Sequence, residues 1–252
     1  IFEQITVAKS IALVGGTLQP FDDLEAQLIG EDTSRIFTHV NDHVIPPENS
    51  LTFILTNGPN GTPLNYSAQN REASASFNEI AQSMIQLSNI VPGGIIYFFT
   101  SFDYMRKVAK YLQESGTWDE IQKHKFILSE PSETSKLESV MKSFKSYIDN
   151  RNEIFTGSIM LAVMNGKLSE GINFQNDYCR CVVCVGLPFQ DTHDKAVTIR
   201  MEFFDELSRN KKNKCDGQQF LENTCMRIVN QAIGRSFRNS KDYAIAILFD
   251  AR

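Results

Sequence analysis

Short, uninterrupted apolar runs recur along the chain, each bounded by polar or glycine-containing stretches. They are Ile11–Val14, Leu51–Leu55, Ile95–Phe99, Phe126–Leu128, Ile159–Val163, Val182–Val185 and Ala244–Phe249. Runs of this length that do not alternate with polar residues predict strands covered on both faces. Between them, apolar residues return at helical spacing. Val108 and Leu112 share one face of Tyr104–Glu114, with Gly116 as a C-terminal stop. Leu137, Met141, Phe144 and Ile148 form a stripe along Lys136–Asn150, and Ile199, Phe203 and Leu207 do so along Ala196–Arg209. Strand and helix alternate throughout, which predicts an α/β fold with a mostly parallel sheet flanked by helices. The loosest segments are Thr56–Asn65 and Ser208–Gly217, and Gly58-Pro-Asn-Gly61 reads as a turn.

Composition narrows the class. A chain of 252 residues, 42% hydrophobic and 22% charged, can bury one sizeable α/β core. No secretory segment and no apolar run long enough to cross a bilayer stands out, so a soluble intracellular protein without a membrane partner is expected. The net charge of −5 excludes nucleic-acid binding by overall basicity. Any such contact must be local. Five cysteines, an odd number, do not suggest a disulfide framework. Cys181 and Cys184 lie three apart in a strand-like run, hence on opposite faces, and cannot chelate one ion.

Three stretches carry candidate chemistry. In Gln231-Ala-Ile-Gly234-Arg235-Ser-Phe-Arg238, a helical conformation would project Gln231, Arg235 and Arg238 from one face. An amide and two permanent cations so placed suit a polyanion, because the guanidinium fork grips phosphate oxygens in pairs. An ordinary solvated face is the alternative. Asn165-Gly166-Lys167-Leu-Ser169-Glu170-Gly171 follows a strand as a polar loop, where parallel α/β sheets bind ligands, and Lys167 and Ser169 offer donors to phosphate. Thr100 and Ser101 follow another strand and precede a helix, a position suited equally to N-capping and to phosphate. His39 and His43 are four apart, but Pro46-Pro47 disfavours the helix that metal binding would need. The triad types in Thr192-His193-Asp194 are sequence neighbours that seldom meet in space.

The octet resembles motif VI of superfamily 2 helicases, and its companions occur in order. Gly15-Gly16-Thr17-Leu18-Gln19-Pro20 resembles motif III, Gly94–Met105 motif IV and Gly166–Phe174 motif V. Asn173 stands where aspartate is usual. With His43-Val-Ile-Pro-Pro47, Val91-Pro-Gly-Gly94 and Arg180–Phe189, the wording is similar to the chromosome-loss branch of the XPD-like iron–sulphur DNA helicases. The resemblance implies a RecA-like second motor domain over residues 1–252, one excised part of a larger nuclear helicase linked to sister-chromatid cohesion and DNA repair. It implies 5′→3′ stepping on single-stranded or forked DNA, with replication or cohesion proteins as candidate partners.

No Gly-x-x-x-x-Gly-Lys-Ser/Thr occurs, so the fold is expected to lack its own phosphate-binding loop. By resemblance, ATP and magnesium are held mainly by the first motor domain of the same polypeptide, which also carries the iron–sulphur cysteines. This chain is expected to hold no metal and, in isolation, no activity. The resemblance assigns catalysis to Arg238 (the arginine finger), Arg235 and Gln231, and nucleotide contact and coupling to Glu170, Gly171, Asn173 and Gly234. DNA-backbone contact falls to Thr100, Ser101, Lys167 and Ser169. A non-catalytic module that recruits a protein partner, or a motor directed to RNA, are the alternative readings.

Overall fold

Six of the seven apolar runs become strands: β1 (Ser50–Leu55), β2 (Gly93–Phe99), β3 (Lys125–Ser129), β4 (Gly157–Val163), β5 (Cys181–Val185) and β6 (Ala244–Phe249). The computed structural model describes residues 8–28, 36–42, 45–171, 174–210, 214–236 and 241–252. Every strand pairing is parallel, in the order β1-β6-β5-β2-β4-β3. The helices are α1 (Phe21–Leu28), α2 (Ser74–Ile90), α3 (Phe102–Glu114), α4 (Thr117–Gln122), α5 (Leu137–Asp149), α6 (Lys167–Gly171), α7 (Lys195–Arg209) and α8 (Gly217–Ile233).

The seventh run differs from expectation. Ile11–Val14 forms no strand, and Val14 is 95% exposed. Apolar character does not make a strand where no neighbour takes its backbone N–H and C=O groups. β1 also departs from the doubly covered pattern. It pairs only with β6, and as an edge strand it leaves Leu51, Phe53 and Ile54 exposed.

The chain divides into two compact units, residues 43–188 with 228–252, and residues 1–42 with 189–227. In the first, period-2 geometry sorts each central strand between two cores. Ile95, Tyr97 and Phe99 of β2 pack with Ile80 and Met84 of α2, Val108 and Leu112 of α3 and Ile121 of α4. Ile96 and Phe98 face the other way, toward Phe144 and Ile148 of α5, Leu168 of α6 and Val229 and Ala232 of α8. Cys181 joins the first cluster and Cys184 the second, on opposite faces as the spacing predicts. Gly116, at φ +75°, ends α3 and opens α4, a left-handed conformation that glycine adopts without a Cβ penalty.

Gly93 and Gly94 open β2 where the turn Asn176–Tyr178 crosses it. A Cβ on Gly94 would overlap the Tyr178 carbonyl, and one on Gly93 the Asp177 carbonyl. The Val91-Pro-Gly-Gly94 wording is therefore a packing requirement. Arg180 N–H completes the crossing by donating to the Gly94 carbonyl at 2.8 Å. At the same amino-terminal edge of the sheet, the fully buried Lys125 donates to the carbonyls of Gly93 (2.9 Å) and Thr156 (3.3 Å). Burial, then the charge of Arg151, pushes its pKa down to about 8.

In the second unit, Phe204 of α7 stacks on Phe220 of α8 with ring centroids 4.8 Å apart, and Ala26 of α1 and Cys215 fill the space around them. The expected stripe on α7 is turned by about a residue. Val197 and Phe204 are buried, while Ile199 is 65% and Phe203 44% exposed. Arg227 of α8 pairs with the buried Asp23 of α1 and donates to the Pro20 carbonyl at 3.0 Å, which ties the end of Gly15–Pro20 to this unit.

Candidate nucleotide and nucleic-acid interface

Because the sheet is parallel, the loops after β2, β4 and β3 leave at one carboxyl edge, and these three strands are consecutive neighbours. The chain passes from β3 through β4 to β5 on the far side of β2, and such a reversal of strand order opens a ligand crevice. Thr100 and Ser101 follow β2. Ser101 Oγ accepts the Tyr104 N–H at 3.2 Å, so Ser101 is the N-cap of α3. Thr100 Oγ1 is buried and finds no hydrogen-bond partner among the described residues.

After β4, Asn165 takes a left-handed conformation at φ 61°, and Lys167 opens the single turn of α6 where a loop was expected. Lys167 is half-buried as a residue, and its exposed Nζ donates to the Ser132 carbonyl at 3.0 Å. Ser169 is turned inward, its hydroxyl donating to the Gly166 carbonyl at 2.8 Å with the residue 2% exposed. Glu170 and Gly171 complete the turn. Asn173 lies outside the described residues.

This loop is held from beneath by a residue that the sequence reading passes over. Glu130, 3% exposed just after β3, accepts N–H groups from Val163 at 2.8 Å and Leu168 at 3.2 Å. Burial raises its pKa, and the N–H donors offset that only in part. Gly166 leaves the carboxylate its room, since a Cβ there would come within 2.7 Å of Oε1.

The Gln231–Arg238 stretch is not one continuous helix. α8 ends at Ile233, and the chain then tightens, with Arg235 N–H donating to the Ala232 carbonyl (3.2 Å) and Ser236 N–H to that of Ile233 (3.1 Å). Gly234 N–H still donates to the Asn230 carbonyl at 2.9 Å, the last bond of helical spacing, and the spacing shortens directly after this residue of low helix propensity. Gln231 is exposed on the last helical turn and Gly234 is exposed beyond it. Arg235 sits in the tightened turn, and Arg238 lies outside the described residues.

The backbone brings two of the predicted segments together. Phe174 N–H, at the exit from the loop after β4, donates to the Arg235 carbonyl at 3.3 Å, and the Phe174 ring is buried beside Val229 and Ala232. An ionic clamp binds the same two segments farther on. Arg180 donates to Asp177 (2.8 Å), to Asp242 (2.8 Å) and to the Tyr243 carbonyl (2.8 Å), with its guanidinium 3.9 Å from the Tyr243 ring centroid. Asp242, fully enclosed, also accepts the Asn176 N–H at 3.1 Å. Burial pushes Asp177 upward, but hydrogen bonds from Arg180 and Arg151 outweigh it and hold the carboxyl below its usual range. Sequence spacing could not reveal this clamp, because Arg180 and Asp242 are distant in the chain.

Comparison with known proteins assigns the family and the fold. Residues 84–252 match the helicase C-terminal domain. "ATP-dependent DNA helicase DDX11" of Danio rerio is 35% identical over 250 residues, 97% of this chain and 28% of that protein. "ATP-dependent DNA helicase chl1" of Schizosaccharomyces pombe is 32% identical over 246 residues, 97% of this chain and 29% of that protein. The chain thus spans under a third of the length of these relatives. Among solved structures, "XPD_Helicase" has a TM-score of 0.53 at 21% identity, covering 81% of this chain and 32% of that one. "Structure of S. tokodaii Xpd4" has a TM-score of 0.54 at 18% identity, covering 86% and 38%. These likenesses establish the fold as that of the RecA-like C-terminal domain of XPD helicases, a parallel sheet flanked by helices. With a family match over most of the chain and DDX11 and CHL1 helicases as homologues, the chain belongs to the helicase C-terminal domain family.

Proposed function

We propose that this chain is the second motor domain of an ATP-dependent DNA helicase that steps 5′→3′ in the nucleus. The observation that carries the reading is the hydrogen bond from Phe174 N–H to the Arg235 carbonyl. It links the loop at the carboxyl edge, suited to a DNA backbone, to the turn that bears Arg235. ATP and magnesium sit mainly on the first motor domain of the full-length protein. Arg238 and Arg235 reach the nucleotide when the domains close, Gln231 orients the site, and Glu170, Gly171, Asn173 and Gly234 relay its state. Thr100, Ser101 and Lys167 meet the DNA backbone, with Ser169 bracing the loop from within. Each nucleotide cycle then shifts the edge along single-stranded or forked DNA, and replication or cohesion proteins are candidate partners.

By resemblance, the iron–sulphur cluster sits in the first motor domain of the full-length protein and not in this chain. Within this chain all five cysteines are buried, with Cys181, Cys184 and Cys215 in three different packing clusters.

Single-strand-stimulated ATPase of the full-length protein tests the reading. An arginine finger supplies roughly 10³–10⁵ in rate. Arg238→Ala is therefore expected to lower turnover by at least about 10²-fold with the fold retained. Turnover near that of the wild type would overturn the finger assignment and favour a non-catalytic module that recruits a protein partner.

A further inference from the structure

Two cations converge at the carboxyl edge on a residue that the motif comparison does not mark. Arg106, exposed on α3, donates from Nη2 to Ser132 Oγ at 3.0 Å. Lys167, at the start of α6, donates from Nζ to the Ser132 carbonyl at 3.0 Å. Ser132 itself is exposed on the loop after β3. Consecutive parallel strands β2, β4 and β3 bring these three loops to one edge, although sequence separates the residues by 26 and 35 positions.

No carboxylate among the described residues forms an ion pair with either cation, although the charge of Lys167 is felt by the buried Glu130. The nearby carboxylates are committed elsewhere: Glu130 to the buried N–H groups of Val163 and Leu168, Glu133 to Lys136 at 3.0 Å and Asp103 to Lys107 at 3.0 Å. Two like charges drawn to one neutral residue repel each other, and an anion between them removes that repulsion while gaining charge-assisted hydrogen bonds. In a chain of net charge −5, two cations that share no ion pair form a local cationic feature.

We propose that Arg106 binds a phosphodiester of the DNA track, gripping it jointly with Lys167 across Ser132. This rests on the helicase reading above and extends it to a residue and a geometry which that reading does not contain. The fork of Arg106 supplies paired N–H donors to two phosphate oxygens, and Lys167 supplies a point charge from the neighbouring strand's loop. Ser132 holds both side chains extended toward one place, which reduces the ordering that binding would otherwise require.

The test uses the full-length helicase and oligo(dT), with binding followed by fluorescence anisotropy between 50 and 200 mM salt. Arg106→Ala is expected to weaken binding by about tenfold at 0.1 M salt. The salt slope of log K should flatten by about 0.7, the loss of one phosphate contact on a single strand. Arg106→Lys should restore the slope while leaving part of the affinity loss. Combining Arg106→Ala with Lys167→Ala should cost less than the two single losses together, because one phosphate is shared. Lys110→Ala removes an exposed cation on the same helix that is paired with Glu114, and it should leave the slope unchanged. An unaltered slope in Arg106→Ala overturns the proposal. So does a raised KM for ATP with DNA affinity intact, which would assign the phosphate to the nucleotide. Additive losses in the double variant would place the two cations on separate phosphates and overturn the shared grip. Wild-type protein that shows no salt-dependent DNA binding would instead fail the helicase reading itself, and this proposal with it.

Discussion

Glu130 should be worth far more than an ordinary carboxylate on a loop. Its two oxygens accept the N–H groups of Val163 and Leu168, and Glu130→Ala strands both in a site closed to water. Each buried donor left without an acceptor costs roughly 1–3 kcal/mol, so the substitution should destabilise this chain by about 3–5 kcal/mol. Against a typical domain stability of about 5–15 kcal/mol, that loss lies well outside experimental error. Glu130→Gln removes a charge that burial already disfavours and keeps one acceptor oxygen, so it should lose about half as much. The assay is urea denaturation of the three proteins, followed by circular dichroism. In the full-length helicase, the same variants should weaken DNA-stimulated turnover in the same order, because the Glu130 carboxylate fixes the loop that carries Lys167. A loss below about 1 kcal/mol for Glu130→Ala would mean that the loop keeps its shape unaided, and would refute the argument.

Two further predictions follow from buried charge. Lys125 has its pKa pushed down to about 8, so between pH 8 and 10.5 the unfolded chain binds more protons than the folded one and stability rises with pH. The gap from the ordinary value corresponds to about 3 kcal/mol. Compared with Lys125→Met across that window, the wild type should gain stability by about that amount, and parallel curves would contradict it. In the clamp, Arg180→Met leaves the enclosed Asp242 without its charged partner and should cost about 3–5 kcal/mol. Asp242→Leu should cost less, because Arg180 keeps its pair with Asp177, and removing both Arg180 and Asp242 should cost less than the sum. A double-mutant cycle with a coupling below about 0.5 kcal/mol would count against the clamp.

The residue pattern by itself determined the parallel α/β architecture. Apolar runs such as Ile159–Val163 carry their own signature, because a strand covered on both faces has no polar side to interrupt it. The placement of Cys181 and Cys184 on opposite faces was legible for the same reason, since period 2 is a property of the local backbone. The chemistry of the octet at Gln231–Arg238 and of the stretches at Thr100 and Lys167 could also be read, as residue types at fixed spacing. The end of α8 at Ile233 was less legible, because helix propensity sets a preference and the turn after it is set by its own hydrogen bonds.

What only the tertiary structure decided is the set of contacts between residues distant in the chain. Nothing local in Ile11–Val14 says that no strand will accept its backbone groups, and nothing local in Leu51–Leu55 makes it an edge. The buried acceptor at Glu130, the pairing of Arg180 with Asp242 and the meeting of Arg106 with Lys167 at Ser132 all join separate loops. Strand order brings those loops together, and a hydrophobic pattern that repeats in every strand does not encode which strand lies beside which.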